Sequence, residues 1–131
     1  MICKLEVVLV YLKYRGSNVF VGELMSYNIV IMTAPNKQEA AEIVHTLLEE
    51  RLIACANILD SVQSFFWWKG KIDEENEAMV VMKSHSSLFE KLSKRVLELH
   101  SYDTPEILAL PVVNGSQSYL DWMKHSLESV K

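Results

Sequence analysis

The stretch LIACANILDSVQSFFWWKGKIDEENEAMVVMK, Leu52 to Lys83, decides the fold of this 131-residue chain. Two long runs of strand-forming residues flank a turn at Lys69-Gly70, a pattern typical of a β-hairpin. About 16 residues per strand, at ~3.3 Å each, would span roughly 50 Å, whereas a compact domain of this size has a radius of gyration of only about 13–14 Å. The hairpin is therefore predicted to bend, to project from the domain, or both, and a bulge or a bend is expected at Asp60-Ser61.

The projecting end of the hairpin carries an aromatic run, Phe65 to Trp68, opposite the acidic run Asp73 to Asn76. Because successive side chains of a strand point to opposite faces, Phe65 and Trp67 lie on one face and the other two aromatic residues lie on the second. A small domain cannot bury both faces within itself, so at least one is expected to contact another subunit. The alternative is a surface patch for a small ligand or for a different protein.

Elements before the hairpin follow a regular pattern. YNIVIMTA, starting at Tyr27, predicts a strand that ends at Pro35. Asn36, with Glu39 three residues later, predicts a capping box that starts a helix ending near Arg51.

The part of the chain after the hairpin predicts three further elements. Ser87 and Glu90 indicate a second capping box and helix, EILALPV indicates a fourth strand, and GSQSYLDWMKHSLESV indicates a closing helix. The order βαββαβ with a C-terminal helix is that of an α+β, ferredoxin-like domain with a long β-hairpin. A chain of 131 residues, half of them apolar, fits one such domain.

Residues 1–24 precede this pattern and are treated apart from the domain predicted for residues 25–131. MICKLEVVLVYL is apolar but too short to span a membrane, and it lacks the basic start and cleavage site of a secretory signal. One interpretation is a strand, a turn at Arg15 to Asn18 and a second strand. The other is a non-native or disordered N-terminal extension upstream of a natural start at Met25. A cytoplasmic protein without membrane contact is expected in either case.

Composition excludes several classes of function. The net charge is −4 and no Lys/Arg-rich run occurs, so a nucleic-acid partner is not expected. The two cysteines, Cys3 and Cys55, form no zinc pattern, which indicates free thiols in a reducing compartment. No phosphate loop, nucleophile elbow or Ser/His/Asp signature occurs, and the apolar segment around Cys55 disfavours thiolate chemistry. The chain is therefore predicted not to be an enzyme and to have no catalytic residues.

The junction ELHSYDTPEILALPV, Glu98 to Val112, holds the densest set of candidate ligands: His100, Tyr102, Asp103 and Glu106. Neutral imidazole is a good ligand for Cu(II) or Zn(II), and carboxylates can complete or orient a coordination sphere. The spacing does not allow a closed site from this segment alone, so further ligands would come from elsewhere, for example from a neighbouring subunit. The alternatives are that His100 only ends a helix and that Glu106 is a solvated charge at a strand start.

Three segments together resemble a known family: NIVIMTAPNKQEAAEIVHTLLEERLIACANIL, FFWWKGKIDEENEAMVVMKS and LHSYDTPEILALPVVNGSQSYLDWM. Over residues 28–127 the chain is similar to the divalent-cation tolerance protein CutA family. The resemblance implies a ferredoxin-like subunit in a tight homotrimer, similar in architecture to PII signalling proteins, with the hairpins reaching across to neighbours. It also implies a link to divalent metals, copper above all, and a cytoplasmic bacterial or organellar setting.

The resemblance also implies site residues. His100 matches the histidine of the family's HPYE-type segment, while Tyr102 and Glu106 match its tyrosine and the glutamate of PEI. The chain departs from the family at two positions. Ser101 stands where the family usually has proline, which is expected to loosen the corner, and Met32 stands where some members place a cysteine proposed as a copper ligand. A thioether favours Cu(I) over Cu(II), so this departure is expected to weaken binding or abolish it.

The first functional hypothesis is a non-enzymatic, homotrimeric protein of divalent cation tolerance. It binds a divalent metal, Cu(II) by the general affinity order, through His100 with Glu106 or Asp103 as helpers. Protein purified without any bound metal is also compatible with this hypothesis.

The alternative hypothesis is a PII-like signalling or scaffold trimer. It would bind a small ligand or an unknown protein partner in clefts between subunits, with Tyr102, Lys83 and Trp68 as the expected ligand-cleft residues.

Overall fold

The computed structural model describes residues 27–128, so both interpretations of residues 1–24 lie outside the described residues. A short 3₁₀ helix, Ser86–Leu88, precedes the second α-helix. The main elements are β1 (Tyr27–Ala34), α1 (Lys37–Glu49), β2 (Cys55–Trp68), β3 (Lys71–His85), α2 (Phe89–Leu99), β4 (Ile107–Pro111) and α3 (Gln117–Leu127). Between residues 27 and 128, no helix is long and apolar enough to cross a membrane.

The strands form one antiparallel sheet in the order β2-β3-β1-β4. This order, with one helix after β1 and one after β3, is the ferredoxin-like arrangement. The predicted α+β class and the βαββαβ order are therefore confirmed, and the closing helix α3 follows as expected.

The hairpin of β2 and β3 projects from the rest of the sheet. Its strands, of 14 and 15 residues, pair from Cys55↔Lys83 to Trp68↔Lys71, whereas β1 pairs only with residues 78–85 of β3. Residues 71–77 of β3 therefore have a single neighbouring strand within the described residues.

The turn and the bulge of this hairpin lie where the sequence predicts them. Lys69 (φ 49°) and Gly70 (φ 76°) both have positive φ, as a type I′ two-residue turn requires. The register shifts between Leu59 and Val62, and Ser61 within this irregularity has φ 55°. Both predictions are confirmed.

One face of the sheet forms the hydrophobic core with α1 and α2. Alternation along β1 and β3 directs every second side chain toward the helices. The fully buried strand residues are Val30, Met32, Ala34, Ala78, Val80 and Met82, and those of the helices include Ala40, Leu47, Leu92 and Val96.

The opposite face of the sheet is only partly covered. Leu108 and Leu110 of β4 pair with Ile31 and Ile29 of β1 on this face, and both leucines are exposed. Helix α3 contacts the same face at its edge, where Tyr119 Oη lies 3.3 Å from Cys55 Sγ. An apolar sheet surface therefore remains exposed on the single subunit.

The start of α1 confirms half of the predicted capping box. Asn36 Oδ1 accepts a hydrogen bond from the N–H of Glu39 at 2.8 Å, as an N-cap residue does. The other half is wrong, because the Glu39 carboxylate accepts its hydrogen bonds from Ser101 instead of reaching back to the cap.

The predicted capping box of Ser87 and Glu90 is wrong. Helix α2 begins at Phe89, and the 3₁₀ helix before it is capped by the His85 imidazole, whose Nδ1 accepts from the N–H of Ser87 at 3.2 Å. Burial lowers the pKa of His85, which favours the neutral ring that this bond needs.

The end of α1 places an arginine in a backbone conformation that glycine usually occupies. Arg51 has φ 58°, and the N–H of Leu52 donates to the carbonyl of Leu47 at 2.9 Å, as in a Schellman motif. The Arg51 side chain donates from Nη1 to the carbonyl of Ser126 at 2.8 Å, near the end of α3. Arg51 thus links the ends of two helices and offsets the strain of its own backbone.

We predict that Arg51→Ala is less stable than Arg51→Gly, although both variants lose the hydrogen bond to Ser126. Alanine keeps the left-handed backbone conformation, which costs about 1 kcal/mol, whereas glycine does not. Urea unfolding should show this difference in the free energy of unfolding. Equal stabilities would mean that the backbone of residue 51 relaxes out of the left-handed region.

Candidate functional site

His100 lies immediately after α2, and its side chain is fully buried, with 0% exposure. Its Nε2 lies 2.8 Å from the carbonyl oxygen of Thr33 at the end of β1, and its Nδ1 lies 3.0 Å from the backbone N of Tyr102. A carbonyl only accepts and a backbone N–H only donates, so these partners assign the proton to Nε2 and the lone pair to Nδ1. We call this segment, His100 to Tyr102, the His100 corner.

Glu39, in the first turn of α1, is the carboxylate that meets the His100 corner. Its Oε1 accepts from the N–H of Ser101 at 2.7 Å, and its Oε2 accepts from the hydroxyl of Ser101 at 2.9 Å. The same Oε1 lies 3.9 Å from Nδ1 of His100. Both ring nitrogens already have hydrogen-bond partners suited to a neutral imidazole, so this contact is a close approach and not an ion pair.

Tyr102 binds a second carboxylate, Glu77 of β3, which is buried. Its hydroxyl donates to Glu77 Oε2 at 3.0 Å. Burial, the hydrogen bond to Glu77 and the charges of Glu77, Glu75 and Glu39 raise the pKa of Tyr102 to about 12. The phenol therefore stays protonated at neutral pH and acts as a donor.

The other predicted metal ligands do not gather at His100 within one subunit. Asp103 and Glu106 are both exposed, and neither forms a hydrogen bond or ion pair with a side chain between residues 27 and 128. Over the same residues, no group of three or more His, Cys, Asp or Glu side chains is close enough to hold a metal. A complete site would therefore need ligands from beyond the described part of one chain.

The predicted ligand-cleft residues are also far apart in one subunit. Trp68 pairs with Lys71, 12 residues from Lys83 along β3, which corresponds to roughly 40 Å. Tyr102 bonds to Glu77, about halfway between them. Lys83 is half-buried, and its ammonium group donates to Asn57 Oδ1. A cleft that contains all three residues would have to be formed by different subunits.

A cleft lies beside the bulge of the hairpin. Its volume is about 450 Å³, and its lining is polar and acidic. The lining residues are Ser61, Gln63, Glu74, Glu75 and Asn76, none of which the sequence singles out as a ligand.

Two sulfur-containing residues can also be placed. Met32, at the position where some family members have a cysteine, is fully buried in the core. Cys55 is a half-buried free thiol, and its hydrogen bond with Tyr119, together with burial, raises the pKa of that tyrosine.

Sequence reasoning missed Glu39 and Glu77 as partners of the His100 corner. The sequence signal at Glu39 is its place three residues after Asn36, and this spacing predicts half of a capping box. Glu77 could have been noticed as an acidic residue directly before the apolar run AMVVM. In neither case does the local pattern identify the partner on a distant segment.

The His100 corner has the chemistry of an imidazole site for a transition metal. Histidine ligands commonly donate their other N–H to a backbone carbonyl, and Thr33 provides such a carbonyl. The lone pair at Nδ1 and the nearby Glu39 carboxylate form a donor set that suits Cu(II) or Zn(II) better than Mg²⁺ or Ca²⁺. The residues present therefore fit an imidazole-bound divalent metal, although they do not enclose it.

Known proteins share this fold and much of its sequence. A "Divalent-cation tolerance protein CutA" from Thermus thermophilus is 40% identical over 98 residues, which cover 75% of this chain and 95% of that protein. "Protein CutA, chloroplastic" from Arabidopsis thaliana is 37% identical over 98 residues, and the match spans about half, 54%, of its length. The solved structure of the "Periplasmic divalent cation tolerance protein CutA" from Archaeoglobus fulgidus is 40% identical, with a TM-score of 0.76 over 78% of this chain and 99% of that chain.

The sequence profile of one family matches most of the chain. It is described as "CutA1 divalent ion tolerance protein" and aligns with residues 28–126, from the second residue of β1 to near the end of α3. This agrees with the family resemblance of the three sequence segments. The chain belongs to the CutA1 divalent ion tolerance protein family.

Proposed function

We propose that this chain contributes to divalent cation tolerance as a non-enzymatic protein that binds Cu(II) at Nδ1 of His100. One observation carries the proposal: a fully buried, neutral imidazole whose Nε2–H is fixed by the Thr33 carbonyl and whose lone pair lies 3.9 Å from a carboxylate. The family's link to divalent cations supports it.

Copper is the proposed metal because Cu(II) binds nitrogen and oxygen ligands most tightly among the divalent first-row ions. Its binding at Nδ1 would replace the hydrogen bond from the N–H of Tyr102, and water would become the new acceptor for that N–H. Asp103 and Glu106 follow the same corner in the sequence and are exposed, and as helpers from a neighbouring subunit they would complete the site.

We also propose a homotrimer in which the hairpins contact neighbouring subunits. The aromatic run at the hairpin end is exposed on the single subunit, with Trp67 74% exposed, and so is the apolar sheet face at Leu108 and Leu110. Such surfaces are typical of oligomer interfaces. The predicted cleft of Tyr102, Lys83 and Trp68, and with it the alternative signalling or scaffold role, depends on this assembly.

The proposed location is the cytoplasm. A reducing compartment suits the free thiol of Cys55, but the relatives with printed locations are named chloroplastic and periplasmic. Fractionation of cells that express the full chain tests this part of the proposal.

We predict that His100→Ala weakens Cu(II) binding by at least about tenfold, because it removes the only buried imidazole of the described residues. Isothermal titration of metal-free protein with Cu(II) in a weakly competing buffer measures the change. His45→Ala is the matched control, since His45 is exposed on α1. Binding curves that coincide for wild type and His100→Ala would remove His100 from the site.

We predict that Trp67→Arg weakens trimer formation, with the dissociation constant rising roughly 30-fold or more, as for loss of a tryptophan at the centre of an interface. Sedimentation velocity over a dilution series measures this. Leu97→Arg is the matched control, because Leu97 is another exposed apolar residue, 51% exposed, but lies on α2. A monomeric wild type, or equal effects of both variants, would contradict the proposed interface.

A further inference from the structure

We propose that Glu39 is a further ligand for the cation at His100 and that Ser101 competes with the cation for this carboxylate. The inference rests on the proposed function of His100. It adds a ligand outside the predicted set and a residue, Ser101, that sets the affinity of the site.

The geometry selects Glu39 over the other acidic residues of the corner. Its Oε1 lies 3.9 Å from Nδ1 of His100, a separation no longer than two metal–ligand bonds of about 2 Å laid end to end. Glu77 is instead engaged by the hydroxyl of Tyr102. Asp103 and Glu106 make no contact with His100 among the hydrogen bonds and ion pairs of the described residues.

Without a cation, Ser101 occupies both oxygens of Glu39. Its N–H donates to Oε1 at 2.7 Å and its hydroxyl donates to Oε2 at 2.9 Å. A cation bound by Nδ1 and Oε1 would displace two backbone donors, the N–H of Tyr102 and the N–H of Ser101. Turning the Glu39 carboxylate toward the cation would also break the bond from the Ser101 hydroxyl to Oε2, so the hydroxyl competes with the cation as well. Water would have to supply the acceptors that these two N–H groups lose, so binding becomes an exchange of hydrogen bonds for metal bonds.

This exchange gives Glu39 and Ser101 opposite effects on affinity. Removing the carboxylate charge removes a ligand, whereas removing a Ser101 donor frees the same ligand. If Glu39 only fastened the corner, both changes would loosen it and would act in the same direction.

The test is Cu(II) titration of the full chain in four variants. Glu39→Gln should weaken binding by about tenfold. Ser101→Ala, which loses the hydroxyl donor, should tighten binding by roughly tenfold, the equivalent of one hydrogen bond to a charged group. Glu49→Gln on the same helix and Ser118→Ala on α3 are the matched controls, both exposed, and should bind as wild type. Thermal melting of each metal-free variant verifies that it is folded.

A second measurement tests directly whether the cation displaces the N–H groups of Ser101 and Tyr102. Hydrogen–deuterium exchange of the peptide that contains Ser101 and Tyr102 should become faster when Cu(II) is added, because both N–H groups lose their acceptors. Most ligands slow exchange at their site, so the expected direction is distinctive. Unchanged or slower exchange in this peptide would overturn the competition.

The outcomes separate this inference from the proposed function. If His100→Ala abolishes Cu(II) binding while Glu39→Gln and Ser101→Ala bind as wild type, Glu39 is not a ligand and the proposed function stands. Weaker binding in both variants would mean that Glu39 and Ser101 only stabilise the structure of the corner and do not compete with the cation. If Cu(II) binding survives His100→Ala, or if the wild type does not bind, both proposals are wrong.

Discussion

The structure depends on how β3 pairs with its two neighbouring strands, the long β2 and the short β1. β2 follows β3 to the end of the hairpin, but β1 ends at Ala34, opposite Ala78. Residues 78–85 of β3, which lie between β1 and β2, contribute side chains to the core. Residues 71–77 have only β2 as a neighbour and project together with the aromatic run of β2. Glu77 is the first residue past this boundary, and the chain returning from α2 meets it there through Tyr102. One register thus fixes the core, the projecting surface and the position of the candidate site.

Local patterns were sufficient to predict the elements but not the contacts between distant segments. Period-two alternation located β1 and the hairpin strands, Gly70 identified the turn, and Asn36 identified the start of α1, because each signal depends on residues a few positions apart. The predictions of the helix caps failed where a local pattern competed with tertiary structure. His85 caps the 3₁₀ helix although serine is the usual cap, and the carboxylate of Glu39 bonds 62 residues away in the sequence.

The candidate site shows the same limit. His100 could be selected from sequence because a histidine at the end of an amphipathic helix and before a strand is positioned by both elements. Its protonation state could not, since it depends on the Thr33 carbonyl and on the N–H of Tyr102, and only the fold brings Thr33 to the ring. Proximity in sequence also does not place Asp103 at the His100 ring within one subunit, because residues of a turn point in different directions and this one is exposed to solvent.

Ser101 shows why a family comparison has to be read through the contacts of the individual chain. A serine in place of proline was expected to loosen the corner, but its N–H and hydroxyl both bind Glu39 and fasten the corner to α1. His100 has φ −79° and ψ 142°, a conformation that also allows proline to follow, so the backbone accepts either residue. Proline stabilises by about 0.4–1 kcal/mol through the unfolded chain, whereas a hydrogen bond to a charged group contributes roughly 1.5–3 kcal/mol. Two such bonds, even weakened by solvent, therefore stabilise the corner by at least as much free energy as proline would. Hydrogen bonds to Glu39 therefore fasten this corner to α1, whereas proline would restrict the backbone instead.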